Sequence, residues 1–374
     1  MDYESLRREI NAADEAMLQL MLKRLALEEA AMGENRSPAE KAALRRETLR
    51  KMTELAGDKE QEAWLMFNTL FSLEDTRADA VHGGGELTAT VEAALERGKG
   101  EFPRSALVAC QGTEGANSQA AAEKLFPRGN LMYFKTFEAV FDAVASGLCK
   151  YGVLPIENSS YGSVTEVYDL KRKYRFSIVR SVRLKIDHRL LAKPGTKLED
   201  IREIVSHEQA IGQCSEFLKK LSGVKVTVCE NTAVAAQMVS STSRNDIAAI
   251  SAPACAALYG LSVLKTDISN SDSNFTRFIC IAKQLEIYPG ANKMSLMLNV
   301  QHKPGALYSM IAKFSALGLN LTKLESRPLA GTDFEFMFYF DLDASVYDEA
   351  ALQLLSELDA GPETFTYLGS YSEI

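Results

Sequence analysis

Between Met1 and Gly33 neither glycine nor proline interrupts the chain, and Leu6, Ile10, Ala13, Met17, Leu20 and Met21 recur at helical spacing. A helix of about thirty residues is longer than a small three-helix domain can cover, so its apolar stripe calls for a partner chain. Ser37-Pro38-Ala39-Glu40 then starts a second helix, with Ser37 as N-cap, Pro38 in the first turn and Glu40 closing a capping box. Gly57 suits its end, and Asp58-Lys59-Glu60-Gln61 begins a third. Residues 1–81 are therefore expected to form an all-α domain.

The pattern changes twice. His82-Gly83-Gly84-Gly85 punctuates the chain, and 82–104 reads as a polar linker. From 105 to 285, short apolar runs such as Ala106–Cys110, Tyr151–Ile156 and Ile247–Ile250 alternate with helical stretches near 115–126, 136–147, 207–221 and 231–240. That alternation predicts an α/β domain rich in parallel sheet. Residues 293–374 read as β-α-β-β-α-β, a ferredoxin-like α+β module, with strands at 294–301, 319–326, 333–342 and 364–369. A chain of 374 residues has room for such a multidomain arrangement.

Composition narrows the partners. A formal charge of −8 disfavours nucleic acid, which wants a basic face. No stretch is long enough to span a membrane, and the acidic start Met1-Asp2-Tyr3-Glu4 is no signal peptide. The six cysteines are scattered and form no Cys-x-x-Cys pair, which fits reduced thiols in the cytoplasm. The four histidines show no metal-ligand spacing, and no nucleotide fingerprint occurs, so neither metal nor cofactor is expected.

Six segments of the middle region occur in an order that resembles prephenate dehydratases. They are Gln111 to Ser118, Tyr151 to Ser159, Ser206-His207-Glu208-Gln209-Ala210 with Gln213-Cys214, Asn231-Thr232-Ala233, Leu258 to Leu261, and Asn274-Phe275-Thr276-Arg277-Phe278. Each also has a plain structural reading. Ser206 to Gln209 is a capping box, Asn158 to Gly162 is turn chemistry, and Thr276 is an ordinary strand threonine. The resemblance implies two lobes like those of periplasmic binding proteins. It also implies a reaction in which prephenate loses carbon dioxide and its ring hydroxyl to become phenylpyruvate. Neutral donors suit that task, because charge grows on the leaving oxygen only in the transition state. By resemblance Thr276 is that donor, and Asn158, Ser206 and Gln213 are the other polar site positions. Glu157 and His207 are adjacent candidates for an acid. Strand alternation places Arg277 opposite Thr276, where it either holds a carboxylate or makes a salt bridge.

The N-terminal stretch resembles the all-helical chorismate mutase domain, through Leu6-Arg7, Ile10, Asp14, Leu18 and Arg24, then Arg46-Glu47 and Asp75-Thr76-Arg77. Such a domain rearranges chorismate to prephenate by clamping it with cations, and the resemblance implies Arg7, Arg24, Arg36, Arg46, Glu47 and Thr76 as substrate contacts. Arg7 and Arg24 lie about 25 Å apart along one helix, so a shared site needs two chains. Three positions depart from the family pattern. Asn35 or Arg36 stands where a lysine is expected, Ala43 replaces an acidic residue, and Ala80 replaces the glutamine that supports the ether oxygen. A domain kept only for dimerisation is the competing reading.

In the last region, Lys303-Pro304-Gly305-Ala306-Leu307 and Asn320-Leu321-Thr322-Lys323-Leu324-Glu325-Ser326-Arg327-Pro328 resemble the ACT regulatory domain of dehydratases. The resemblance implies a phenylalanine site between two chains, using Gly305, Ala306, Leu307, Asn320, Leu321, Glu325, Ser326, Arg327 and Pro328. The expectation is thus a feedback-inhibited homodimer or tetramer that acts on prephenate, and on chorismate if the mutase domain is active. The alternative from another class is a non-catalytic ligand-binding sensor.

Overall fold

The computed structural model describes residues 2–31, 38–80, 86–300, 305–329, 336–360 and 364–374. The first region is helical: α1 (Tyr3–Ala31), α2 (Pro38–Ala56) and α3 (Glu60–Ala80), with α2 packed along α3. Of the described α1 residues only Leu25 is buried, and Leu6, Ile10, Met17, Leu18 and Leu20 of its stripe are exposed within the single chain. Contacts to α1 come chiefly from α3, so one chain leaves most of the stripe uncovered. No described helix is long and apolar enough to cross a membrane.

The polar segment after the glycines is not all linker. Residues 86–97 form α4 (Glu86–Arg97), whose Val91 and Ala94 are buried in the core of the C-terminal module. Leu87, Val91, Ala94 and Leu95 make the i, i+4, i+7, i+8 stripe of an amphipathic helix, obscured in the sequence by charged residues between them. Residues 81–85, where the glycines fall, lie outside the described residues.

The middle region forms two lobes, each around a mixed sheet. Lobe one contains β1 (Leu107–Gln111), α5 (Asn117–Leu125), β2 (Asn130–Phe134), α6 (Phe137–Ala145), β3 (Tyr151–Asn158), β4 (Gly162–Ser163), α7 (Thr165–Tyr174) and β5 (Ser177–Lys185). Lobe two contains β6 (Arg189–Ala192), β7 (Glu203–Ser206), α8 (Glu208–Gln213), α9 (Ser215–Lys219), β8 (Lys225–Val228), α10 (Thr232–Ser241), β9 (Ile247–Ser251), α11 (Ala254–Leu258) and β10 (Ser262–Lys265). The chain then returns to lobe one as β11 (Phe275–Ala282), which enters between β3 and β5. The strand orders are β2-β1-β3-β11-β5 and β10-β6-β9-β7-β8. Parallel pairs make up one side of each sheet, β2-β1-β3 and β9-β7-β8, and β11 and β6, the strands that carry the chain between lobes, pair antiparallel. The sheets are therefore mixed, because each crossing between lobes delivers a strand in the reverse direction.

The C-terminal module runs β12 (Lys293–Val300), α12 (Ala306–Ala316), β13 (Asn320–Pro328), β14 (Phe336–Asp343), α13 (Glu349–Ala360) and β15 (Thr364–Tyr371). Its antiparallel order β13-β14-β12-β15 is ferredoxin-like. Both faces of this sheet are covered. Met294, Leu296, Leu298, Phe340 and Leu342 pack under the helices and α4, while Met297, Met337 and Tyr339 face α7 and the β3–β11 pair of lobe one. Helix α3 packs on α12 and α13, so the first region rests on this module too.

A buried charge cluster fills the junction with lobe one. Arg277 on β11 pairs with Glu157 on β3 at 2.7 Å and with Asp341 on β14. Lys323 on β13 reaches the same Glu157 at 2.9 Å. Burial pushes the Asp341 carboxyl up, but Arg277 and the Ser295 hydroxyl overcome it and hold it below its usual range. Removing one partner of a buried pair leaves a carboxylate without its cation. Arg277→Met is therefore expected to cost about 3 kcal/mol or more. Arg277→Met with Asp341→Leu should recover much of that loss, both read from urea-unfolding midpoints.

Candidate active site

A cavity of about 510 Å³ opens between the two lobes. The antiparallel register places Thr276 opposite Asn158, and a bulge follows: Arg277 faces Glu157, but Phe278 faces Pro155. Residue 156 is thus the extra one on β3. Without it Asn158 and Pro155, three residues apart, would point to opposite faces. With it Thr276, Phe278, Asn158 and Pro155 all face the cavity.

The Asn158 side chain organises a network. Its Oδ1 accepts from the backbone N–H groups of Ser160 (2.9 Å) and Tyr161 (3.1 Å), which fixes which end of the amide is which. Its Nδ2 then donates to Thr276 Oγ1 at 2.8 Å and Asn274 Oδ1 at 2.9 Å. Asn274 Nδ2 donates to Gln213 Oε1 at 2.8 Å, and His188 Nε2 lies 2.6 Å from the same oxygen. Since that oxygen is the acceptor for Asn274, His188 carries its proton on Nε2. Because Thr276 Oγ1 accepts from Asn158, its own proton is free to donate. No acceptor for that proton exists among the described residues.

Thr276, Asn158 and Gln213 are therefore brought together at the cavity, and two other expected positions are not. Ser206 ends β7 fully buried and donates to the Ile250 carbonyl at 2.7 Å, off the cavity wall. The helix begins one residue later than its capping box suggests, so His207, not Ser206, is the N-cap, with its Nδ1 accepting from Gln209. His207 itself lines the cavity. Glu157 points to the opposite face of β3 and is held by Arg277 and Lys323, so it is not an acid facing the cavity. Arg277 is the salt bridge, not the carboxylate clamp.

His188 and Tyr161 were not singled out from sequence, and Asn274, the first residue of the Thr276 motif, was given no role of its own. His188 sits on the crossing between the lobes, where nothing in the residue pattern marks it. Tyr161 crosses from lobe one, and its hydroxyl lies 2.0 Å from where a Cβ on Gly212 would be, so a larger residue at 212 would displace the tyrosine from this position. On another rim, Gly115 (φ 89°) packs its backbone on Cys255 and Leu258 of lobe two, and Tyr259 donates to the Glu114 carbonyl at 2.7 Å.

The remaining predicted positions fall elsewhere. Gly305 takes the left-handed conformation at the start of α12, with Ala306 and Leu307 in its first turn. Asn320 and Leu321 begin β13; Glu325 accepts from Ser163 Oγ at 2.6 Å, and Arg327 pairs with Asp169 at 2.9 Å, both in lobe one. Ser326 and Pro328 are on the exposed side of β13, so one chain does not gather all nine positions around one point. Arg7, Arg46 and Glu47 are exposed, and Arg24 lies 5.4 Å over the Phe71 ring. Arg36 and the side chain of Thr76 lie outside the described residues.

The lobes and the polar network between them define a two-lobed protein with a polar cleft between the lobes. Residues 108–286 match the family described as prephenate dehydratase. The chain is 38% identical over 276 residues to arogenate dehydratase/prephenate dehydratase 2 of Arabidopsis thaliana, covering 71% of this chain and 72% of that protein. It is 34% identical over 277 residues to the bifunctional chorismate mutase/prephenate dehydratase of Escherichia coli K12, covering 72% and 71%. The structure of prephenate dehydratase from Arthrobacter aurescens in complex with L-Phe superposes with a TM-score of 0.65 at 29% identity, covering 71% of this chain and 89% of that one. The chain belongs to the prephenate dehydratase family.

Burial pushes the His188 imidazole below its ordinary 6.5, against the opposing pull of Gln213. The unfolded chain then binds the extra proton first. The stability that His188 contributes is complete above about 6.5 and is lost as pH falls through the lower folded value. The melting temperature should drop between pH 7 and pH 5, and drop less in His188→Gln.

Proposed function

We propose that this chain converts prephenate to phenylpyruvate. The observation that carries the reading is the Thr276 hydroxyl, whose lone pair is engaged by Asn158 and whose proton is left for a group in the cavity. In the reaction the bond to the departing carboxylate breaks and its electron pair enters the ring. The ring becomes aromatic as the C–O bond opposite breaks and the oxygen keeps that pair. Prephenate dianion plus one proton gives phenylpyruvate anion, carbon dioxide and water. Thr276 donates a hydrogen bond to the oxygen as its charge grows. A threonine hydroxyl is too weak an acid to supply the proton itself, which comes from solvent.

Thr276→Val keeps the strand and removes the donor. Its kcat should fall about 100-fold or more, with a melting temperature within a few degrees of wild type. Near-normal turnover of prephenate by the purified variant would exclude the role. The wild-type assay should be run with arogenate as well, because the Arabidopsis relative's name carries both substrates; turnover of arogenate alone would overturn the prephenate reading.

The flanking regions extend the proposal. The E. coli relative is named a bifunctional mutase, and the exposed stripe of α1 supports a helical domain completed by a second copy. That dimer would bring Arg7 of one chain toward Arg24 of another, giving a chorismate mutase. Ala43 and Ala80 favour the second reading, a domain that only dimerises. Prephenate formed from chorismate above the uncatalysed rate decides for the mutase, and none decides for the structural role. The C-terminal module is proposed to be an ACT domain that binds phenylalanine, supported by Gly305 at the head of α12, by the open edge of β13 and by the L-Phe complex of the Arthrobacter relative. Phenylalanine should then lower prephenate turnover, and a flat response across added phenylalanine would remove this part.

A further inference from the structure

The described cavity wall contains no lysine or arginine, yet the proposed substrate carries two carboxylates. Glu166 and Glu230 also face the cavity, so anion binding there falls to backbone dipoles, hydroxyls, side-chain amides and the His188 and His207 imidazoles. Helices α5, α7 and α10 all begin at the wall, and they differ in what their first turns already hold. On α10, Asn231 Oδ1 accepts from Val234 N–H at 2.9 Å, so the side chain caps its own helix. On α7, Glu166 in the first turn already offsets the dipole. The start of α8 is capped by His207. Helix α5 has neither device: its N-cap is Ala116, and its first turn carries no acid. The amides of Asn117 and Ser118 have no acceptor within the helix.

Ser118 supplies a second, independent observation. Its side chain is only 5% exposed, lines the cavity, and has no hydrogen-bond partner among the described residues. Its hydroxyl opens onto the cavity and is left for a group bound there. Resting on the dehydratase reading, we propose that Ser118 Oγ and the Asn117 and Ser118 amides bind the substrate carboxylate that is retained in the product. The departing carboxylate must shed its charge as carbon dioxide, and tight anion binding there would stabilise the ground state and slow the reaction. The retained carboxylate keeps its charge throughout, so donors aimed at it lower KM without opposing the chemistry. Anchoring the Gly115 turn on Cys255, Leu258 and Tyr259 of lobe two fixes this helix start against the opposite wall.

The test uses the full chain, prephenate kinetics, and calorimetric titration with phenylpyruvate, which keeps the carboxylate in question. Ser118→Ala should raise KM for prephenate and Kd for phenylpyruvate about tenfold, with kcat within about threefold of wild type. Ser118→Asp places a carboxylate where the helix start favours one, so it should fold, yet lose prephenate turnover and phenylpyruvate binding about 100-fold. Unchanged KM and Kd in Ser118→Ala overturn the proposal, as does a loss confined to kcat. If the wild type binds phenylpyruvate but leaves prephenate unconverted, the dehydratase reading fails while the Ser118 comparison is still read from Kd. A wild type that binds neither compound overturns both.

Discussion

The antiparallel pairing of β11 with β3 is the interaction on which the other parts depend. The chain leaves lobe one at the end of β5, builds the whole of lobe two, and returns through β11 into the middle of the first sheet. That return makes the lobes one body with a cleft between them. It also lays two residue sets back to back. Thr276 and Asn158 face the cleft, and one residue away Arg277 and Glu157 face the C-terminal module. A one-residue slip would exchange the two faces, putting a buried ion pair in the cleft and the neutral network in the junction. The charge cluster therefore does more than join two sheets. Arg277 has carboxylate partners only in the native register, so the ion pairs select that register although buried pairs add little net stability.

Keeping the cations on the far face shapes the chemistry of the near one. An arginine or lysine in the cleft would bind a dicarboxylate tightly, but it would hold the ground state as firmly as the transition state. The cleft instead offers amides, hydroxyls and the His188 imidazole, whose second proton burial disfavours. These donors have fixed directions, because Asn158 is oriented by two backbone N–H groups and each later member of the network is oriented by the one before it. Preorganised neutral donors of this kind respond to charge that develops at one atom, as the departing hydroxyl requires.

Much of this was legible in the residues, and the parts that were not share a cause. Helical and strand periods placed nearly every element of the C-terminal module, where local pattern and burial agree. Lobe two was harder: the stretch 207–221 reads as one helix but is two short ones, α8 and α9, broken at Cys214. Thr276, Asn158 and Gln213, which linear motifs carry, lie together at the cavity. Ser206 and Glu157 came with the same motifs, yet strand alternation and a helix starting one residue late turn them away from the cavity. Ser118 closes the first motif without a role read for it, and His188 lies in no motif; burial and facing groups single them out, and neither quantity is local in sequence. Helix α4 was missed for a different reason: its apolar stripe is short and its partner lies some two hundred residues downstream.

The same geometry limits how the C-terminal module can act on the cleft. Glu325 accepts from Ser163, and Ser163 is itself a cavity-wall residue at the end of the β3–β4 turn. Lys323 touches Ser163 at 2.9 Å and Glu157 at 2.9 Å, and Arg327 holds Asp169 on α7, whose first turn lines the cavity. A molecule that engaged Glu325 or Arg327 would have to compete with these contacts. Its binding would then be paid for in part by loosening the wall around Ser163 and α7. Coupling of that kind is reciprocal, so filling the cleft would in turn weaken binding at β13. No long relay through the protein is needed, because Glu325 and Lys323 both bond Ser163, itself part of the wall of the cleft.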